Sequence, residues 1–207
     1  MKFRKVLKKS LNLIKRGIVV IKYNQYNRAN YFRKQGAQIG DDCYLAISSL
    51  GDEPFLIKIG NHVGIATGVK LLTHDLGWSF RDRMPDLQVF GKIEIGDNCN
   101  IGTGAIILPN VKIGDNCIIS AGAIVTKDIP SNSVAAGVPA RVVSSFEDYY
   151  QKTRRIWLEQ KPKGYMKELE QGKHYPSEYL GKLKGKAENR SLLKNHLIKL
   201  FWEDEKQ

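Results

Sequence analysis

Ile95-Gly96, Ile101-Gly102, Ile107-Leu108, Ile113-Gly114, Ile119-Ser120 and Val125-Thr126 place an aliphatic residue at every sixth position. An earlier block, Ile59-Gly60, Ile65-Ala66 and Leu71-Leu72, keeps the same phase. A half-buried strand alternates at two and an amphipathic helix returns at three and four, so neither explains a strict six. A solenoid does: three hexapeptides, each a short strand and a turn, close a coil of about eighteen residues whose aliphatic residues stack on those of the next coil. The small residue that follows suits a tight corner, and Asp97-Asn98, Asp115-Asn116 and Asp41-Asp42 supply turn formers.

Outward from this core the chain divides into three. Residues 37–144 are the solenoid, residues 1–36 a basic arm, and residues 145–207 an extension in which the hexads stop and helices are expected at 145–160 and 191–202, joined by a linker over 161–185. The net charge of +12 is concentrated in the arm, which holds eleven Lys and Arg and no Asp or Glu. There Phe3, Val6, Leu7, Leu11, Ile14, Ile18 and Ile21 recur at helical spacing between lysines, giving a basic amphipathic helix. Two roles stay open for residues 1–22: lying on an anionic membrane surface, or covering the open end of the solenoid. Nucleic acid is not expected as a partner, since no base-reading motif accompanies the charge. Leu11 to Ile21 is interrupted by Lys15-Arg16, so no spanning segment is expected and the protein reads as cytoplasmic, with peripheral contact at the inner membrane face as the arm's alternative. Cys43, Cys99 and Cys117 occupy the fifth position of their hexads and read as small buried residues, not as disulfides or metal ligands.

The repeat is interrupted twice. Residues 49–55 form a short turn around Gly51-Asp52-Glu53-Pro54; residues 77–92 form a longer excursion carrying Trp78, Phe80, Arg81, Arg83 and Met84. Loops that leave a regular scaffold concentrate binding residues, so Trp78, Arg81 and Arg83 are candidate acceptor contacts. His74 stands just before the excursion.

The hexads, Leu72-Thr73-His74-Asp75 at the base of that loop, and the closing run Val125-Thr126-Lys127-Asp128-Ile129-Pro130 with Ala135-Ala136-Gly137-Val138-Pro139-Ala140-Arg141-Val142 resemble the hexapeptide-repeat acetyltransferases. These are left-handed parallel β-helix enzymes that include galactoside, maltose, xenobiotic and polysaccharide O-acetyltransferases. The resemblance covers residues 37–144. It implies an all-β solenoid core, a homotrimer, acetyl-CoA in the groove between adjacent solenoids, and no metal. It also implies a general base at His74, an oxyanion donor at the Thr103 backbone N–H, and donor contacts at Thr103, Gly104, Ala121, Lys127 and Arg141. An alcohol is a poor nucleophile at neutral pH, so one imidazole that removes its proton suits the chemistry. Asn100 departs from the pattern, standing where many relatives carry Trp. Asp75 is not expected to pair with His74, because neighbours on a strand point to opposite faces; His62 reads as a surface residue.

The expected reaction is acetyl transfer from acetyl-CoA to a sugar hydroxyl in surface polysaccharide synthesis. The alternatives are a small-molecule acetyltransferase of xenobiotic or amino-sugar type and a non-catalytic binding solenoid. A zinc-dependent carbonic anhydrase on the same fold needs three His, and the solenoid holds only His62 and His74.

Overall fold

The computed structural model describes residues 23–170 and 173–203. The amphipathic helix expected over residues 1–22 lies outside them. The chain forms two compact units, Met1–Phe146 and Glu147–Gln207.

The first unit is a solenoid of three parallel sheets. Sheet A stacks β1 (Gln38–Ile39), β3 (Ile57–Ile59), β8 (Ile93–Ile95) and β11 (Lys112–Ile113). Sheet B runs through β2 (Tyr44–Leu45), β4 (Gly64–Ile65), β9 (Asn100–Ile101), β12 (Ile118–Ile119) and β14 (Ser133–Gly137). It ends in β15 (Ala140–Ser145), which turns back antiparallel to β14. Among the described residues sheet C has three strands, β5 (Lys70–Leu71), β10 (Ile106–Ile107) and β13 (Ile124–Val125). Apart from β14 and β15, each strand is two or three residues long, with its aliphatic residue turned inward, and Leu45, Ile65, Ile101, Ile107, Ile113 and Ile119 are all buried. The stacking register follows the hexads where they are regular, Asn100 facing Ile118, and changes where they are not: Tyr44 faces Gly64 and Ile118 faces Val134. In the irregular coils the inward position leaves this phase, to Leu50, three residues from the in-phase positions 47 and 53, and to Ile129, two residues before position 131. Val143, in phase with the repeat, lies on the closing hairpin and is exposed, because the hairpin is not a coil of the solenoid.

The corners are built by side chains that cap the backbone of the coil beside them. Asp97 N–H donates to Asp115 Oδ1 at 2.7 Å and Asp115 N–H to Ser131 Oγ at 2.9 Å, while Asn98 Nδ2 donates to Asn116 Oδ1 at 2.8 Å. Asn98 and Asn116 have φ of 53° and 54°, a left-handed conformation that asparagine tolerates better than most residues. The three cysteines are buried and free; Cys99 and Cys117 donate to the carbonyls of Gly114 and Pro130 at 3.0 and 3.1 Å.

The open end of the first coil is covered by the short helix α1 (Arg28–Arg33). Ala29 and Phe32 enter the solenoid core. Arg28, buried, donates to the carbonyls of Leu45 and Ile47 at 3.0 and 2.9 Å and to that of Tyr23 at 3.0 Å, and removal from water lowers its pKa.

Helix α2 (Phe146–Gln160) begins at the last residue of the first unit, and in the second unit it is followed by α3 (Ser177–Gly185) and α4 (Ala187–Ile198). Helix α3 occupies the end of the stretch expected to be linker, and α4 starts four residues earlier than the periodicity places it. Tyr165, Met166 and Leu183 form a small core. Buried Asn189 ties it together, accepting from Met166 N–H at 3.2 Å and donating to Leu183 O at 2.9 Å.

Candidate active site

The excursion after sheet C is a hairpin: β6 (His74–Leu76) pairs antiparallel with β7 (Gln88–Phe90), and His74 lies opposite Phe90. This pairing fixes His74 at the corner between sheets C and A. Its ring centroid is 6.1 Å from that of Phe90.

His74 has a partner that the linear sequence does not suggest. Its Nδ1 lies 2.8 Å from Glu53 Oε2, and the same oxygen accepts from Thr73 Oγ1 at 2.6 Å. Glu53 comes from the first interruption, twenty-one residues earlier, and Thr73 is buried. The carboxylate only accepts, so Nδ1 carries a proton and Nε2 is the basic nitrogen. The side chains are 30% and 15% exposed, sheltered enough for the pairing to matter and open enough for a substrate to reach the imidazole. Hydrogen bonds from Thr73 and then His74 hold the Glu53 carboxyl below its usual range. The hydrogen bond to Glu53 in turn raises the His74 pKa, outweighing partial burial. The arrangement orients the imidazole and strengthens it as a base.

His74 borders a cavity of about 440 Å³ lined by residues 46–49, 51–52 and 68–74. Trp78 and Arg81 line a different cavity, of about 340 Å³. There the Arg81 guanidinium lies 4.1 Å from the Trp78 ring centroid, a cation–π contact; Arg83 is exposed on the same loop. Within one chain these three expected acceptor contacts do not share the His74 cavity.

Thr103 and Ala121 sit at another corner, between sheets B and C. Gly102-Thr103-Gly104-Ala105 closes with Ala105 N–H on Gly102 O at 3.2 Å and Gly104 at φ 71°, and Ser120-Ala121-Gly122-Ala123 repeats it at 3.3 Å and φ 69°. These are turns in which glycine takes the left-handed third position. The second residue, Thr103 or Ala121, is exposed and its N–H is not used by the turn. Gly102 must lack a Cβ, which would stand 2.5 Å from Ala121 N. Lys127 is exposed after β13, at the corner where His74 sits two coils earlier, and Arg141 is exposed on β15. The structure therefore gathers Thr103, Gly104 and Ala121 into one column and leaves His74 a whole face away. Six residues separate the two corners along any coil, up to roughly 20 Å of extended chain.

His62 is at a third corner, between sheets A and B, with φ 55°; its Nδ1 lies 2.8 Å from Asp42 Oδ2.

Residues 92–127 match the bacterial transferase hexapeptide family model, which describes six repeats. The protein CapG of Staphylococcus aureus is 54% identical over 124 residues, which span 58% of this chain and 72% of that one. Galactoside O-acetyltransferase of Escherichia coli is 35% identical over 158 residues, spanning 72% and 77%. The chain belongs to the hexapeptide-repeat acetyltransferases. Membership makes it an acyltransferase and implies the left-handed sense of the coil. A hexapeptide-repeat-containing acetyltransferase of Vibrio cholerae superposes with a TM-score of 0.50 at 20% identity, covering 66% of this chain and 89% of that one, and so shares its fold.

Proposed function

We propose that the protein is an acetyl-CoA-dependent O-acetyltransferase acting on a sugar hydroxyl. The observation that carries this reading is the Glu53–His74 pair at the mouth of a polar cavity; similarity to a galactoside O-acetyltransferase supports the sugar. His74 Nε2 takes the proton of the acceptor hydroxyl as its oxygen attacks the thioester carbonyl carbon. A C–O bond forms, and the carbonyl electrons move to oxygen. The Thr103 N–H donates to that oxyanion. Collapse breaks the C–S bond, and the imidazolium returns the proton to the departing thiolate. Ala121 N–H bonds the pantetheine arm, and Lys127 and Arg141 meet the nucleotide phosphates.

Because His74 and Thr103 occupy different corners, in successive coils, the working site joins His74 of one copy to Thr103 of a neighbour, and the enzyme is a homotrimer. An interface of this head-to-tail kind closes into a ring. Acetylation serves surface polysaccharide synthesis, with residues 1–22 resting on anionic lipid. Support for that role of the arm is that α1 already covers the first coil, through Phe32 and Arg28. Among the described residues no helix is long and apolar enough to cross a membrane.

The test is acetyl transfer from acetyl-CoA to methyl β-D-galactopyranoside by full-length protein and by His74→Ala. Loss of a positioned base lowers turnover roughly 10²- to 10⁴-fold, with donor binding retained. A His74→Ala protein with a third of the parental rate would remove His74 from the mechanism.

A further inference from the structure

Sheet C is one strand short at its upper end. Sheets A and B begin in the first coil with β1 and β2, but among the described residues sheet C begins with β5, whose single neighbour there is β10. Where the first coil crosses this face it runs through Ser48, Ser49, Gly51 and Asp52 without strand structure. Among the described residues no backbone hydrogen bond joins residues 46–52 to residues 69–73. The gap is the 440 Å³ cavity that ends at His74.

The free edge has a definite pattern. Lys70 N–H donates to Ala105 O and Leu72 N–H to Ile107 O, both at 2.9 Å. Backbone groups of successive strand residues point to opposite sides, so Leu71 N–H and the Val69 carbonyl face the cavity. A strand in this place would donate one N–H to Val69 O and receive Leu71 N–H on the carbonyl of that same residue, as Lys70 and Ile106 donate into the coils below them. That residue presents a donor and an acceptor through the linkage N–C–C=O. A vicinal pair of hydroxyls, O–C–C–O, offers the same sequence of donor, two carbons and acceptor.

We infer that the acceptor pyranose is gripped by the unpaired edge of β5, one hydroxyl donating to Val69 O and its vicinal neighbour accepting from Leu71 N–H. The inference rests on the acetyltransferase reading and adds how the sugar is held. The occupant is a sugar and not an added peptide strand, because the edge is two residues long and closed at its Leu71 end. An added Cβ on Gly51 would stand 3.5 Å from Leu71 O, which puts that turn against this end, and His74 follows three residues on. The polar side chains of the walls, Ser48, Ser49, Asp52 and Lys70, bring one charge of each sign and so suit a neutral glycoside. His74 lies three residues beyond Leu71, about 10 Å along an extended strand, so the gripped pair does not include the hydroxyl that is acetylated.

The experiment uses full-length protein, acetyl-CoA, methyl β-D-galactopyranoside and its 2-, 3-, 4- and 6-deoxy analogues. Deoxygenation at either of two adjacent carbons should lower kcat/KM roughly 10- to 100-fold, the range for stranding a buried donor or acceptor. The KM for acetyl-CoA should hold, and the product should carry its acetyl group on a third carbon. If every analogue that keeps the acetylated hydroxyl stays within about twofold of the parent, the grip is wrong while the acetyltransferase reading stands. Amide hydrogen exchange read on peptides covering residues 68–73, with saturating parent glycoside and no acetyl-CoA, gives a second measurement independent of turnover. Slowing of the Leu71 amide by about tenfold or more supports the grip; an unchanged rate overturns it, including in the case where no glycoside is turned over and the acetyltransferase reading itself has failed.

Discussion

Glu53 Oε2 stands 2.8 Å from His74 Nδ1 and also accepts the Thr73 hydroxyl, so one carboxylate oxygen orients the imidazole and is itself fixed by a buried neighbour. On the proposed mechanism Glu53 acts through His74 and is a positioning residue.

Glu53→Gln keeps an acceptor for Nδ1–H and removes the charge. The carboxylate raises the His74 pKa, so kcat/KM rises with pH as the imidazole deprotonates, with its acid limb above the ordinary imidazole value. In Glu53→Gln that limb should move to lower pH, and the plateau should fall by about tenfold as the base weakens. A pH–rate profile decides it, since a residue with only a packing role would lower the plateau and leave the limb in place.

The same pair adds to stability over a bounded pH range. Glu53, with its pKa depressed, contributes above the usual Glu value and loses that contribution as pH falls through its lowered pKa. His74, with its pKa raised, contributes below the usual His value and loses it as pH rises through its elevated pKa. Urea unfolding from pH 4 to 9 should show the parent-minus-Glu53→Gln difference largest between the two usual values and shrinking on both sides; a flat difference would contradict the pairing.

How much of this was legible in the residues is uneven. Ile95 to Val125 announced the solenoid, because each inward aliphatic must stack on the one eighteen residues away and nothing else repeats at six. The base of the loop drew attention to His74 for the same reason, as the place where the hexads stop. Glu53 was not legible as its partner: the coil that delivers it is irregular, with Tyr44 facing Gly64 and Leu50 replacing the in-phase inward residue, and a hexad count cannot carry register through such a coil. Phe32 and Arg28 were read as part of a basic arm, although their burial under the first coil depends on contacts that periodicity does not encode. Helix α3 was hidden by Gly181 and Gly185, which read as linker.

Phe32 is fully buried in the solenoid core. Phe32→Ala should cost about 3–5 kcal/mol, the usual range for an emptied aromatic site, by opening the first coil. Urea denaturation of the full chain measures it, and a loss under about 1 kcal/mol would mean that α1 is not the cap.

Gly102→Ala would place a Cβ 2.5 Å from Ala121 N and 2.8 Å from Ile119 O, which forces the corner apart where the donor's pantetheine arm is proposed to bind. A loss of about 1–3 kcal/mol in stability should come with a larger proportional loss of acetyl-CoA affinity than in Phe32→Ala, read by calorimetric titration. Equal affinities in the two variants would remove the Ala121 corner from the donor site.

A site shared between copies is tested most directly by mixing two inactive chains. Thr103 is the second residue of its turn, a position that proline accepts, so Thr103→Pro removes the N–H and keeps the corner; His74→Ala removes the base. Each homotrimer should be nearly inactive. Co-expressed in equal amounts, the two chains assemble at random, and every mixed ring contains one interface in three that pairs an intact His74 with an intact neighbouring Thr103, so specific activity should recover to about a quarter of the parental value. Mixed trimers, confirmed by differential tags, that stay as inactive as either variant alone would show that both residues act within one chain or not at all, and would rule out the shared site.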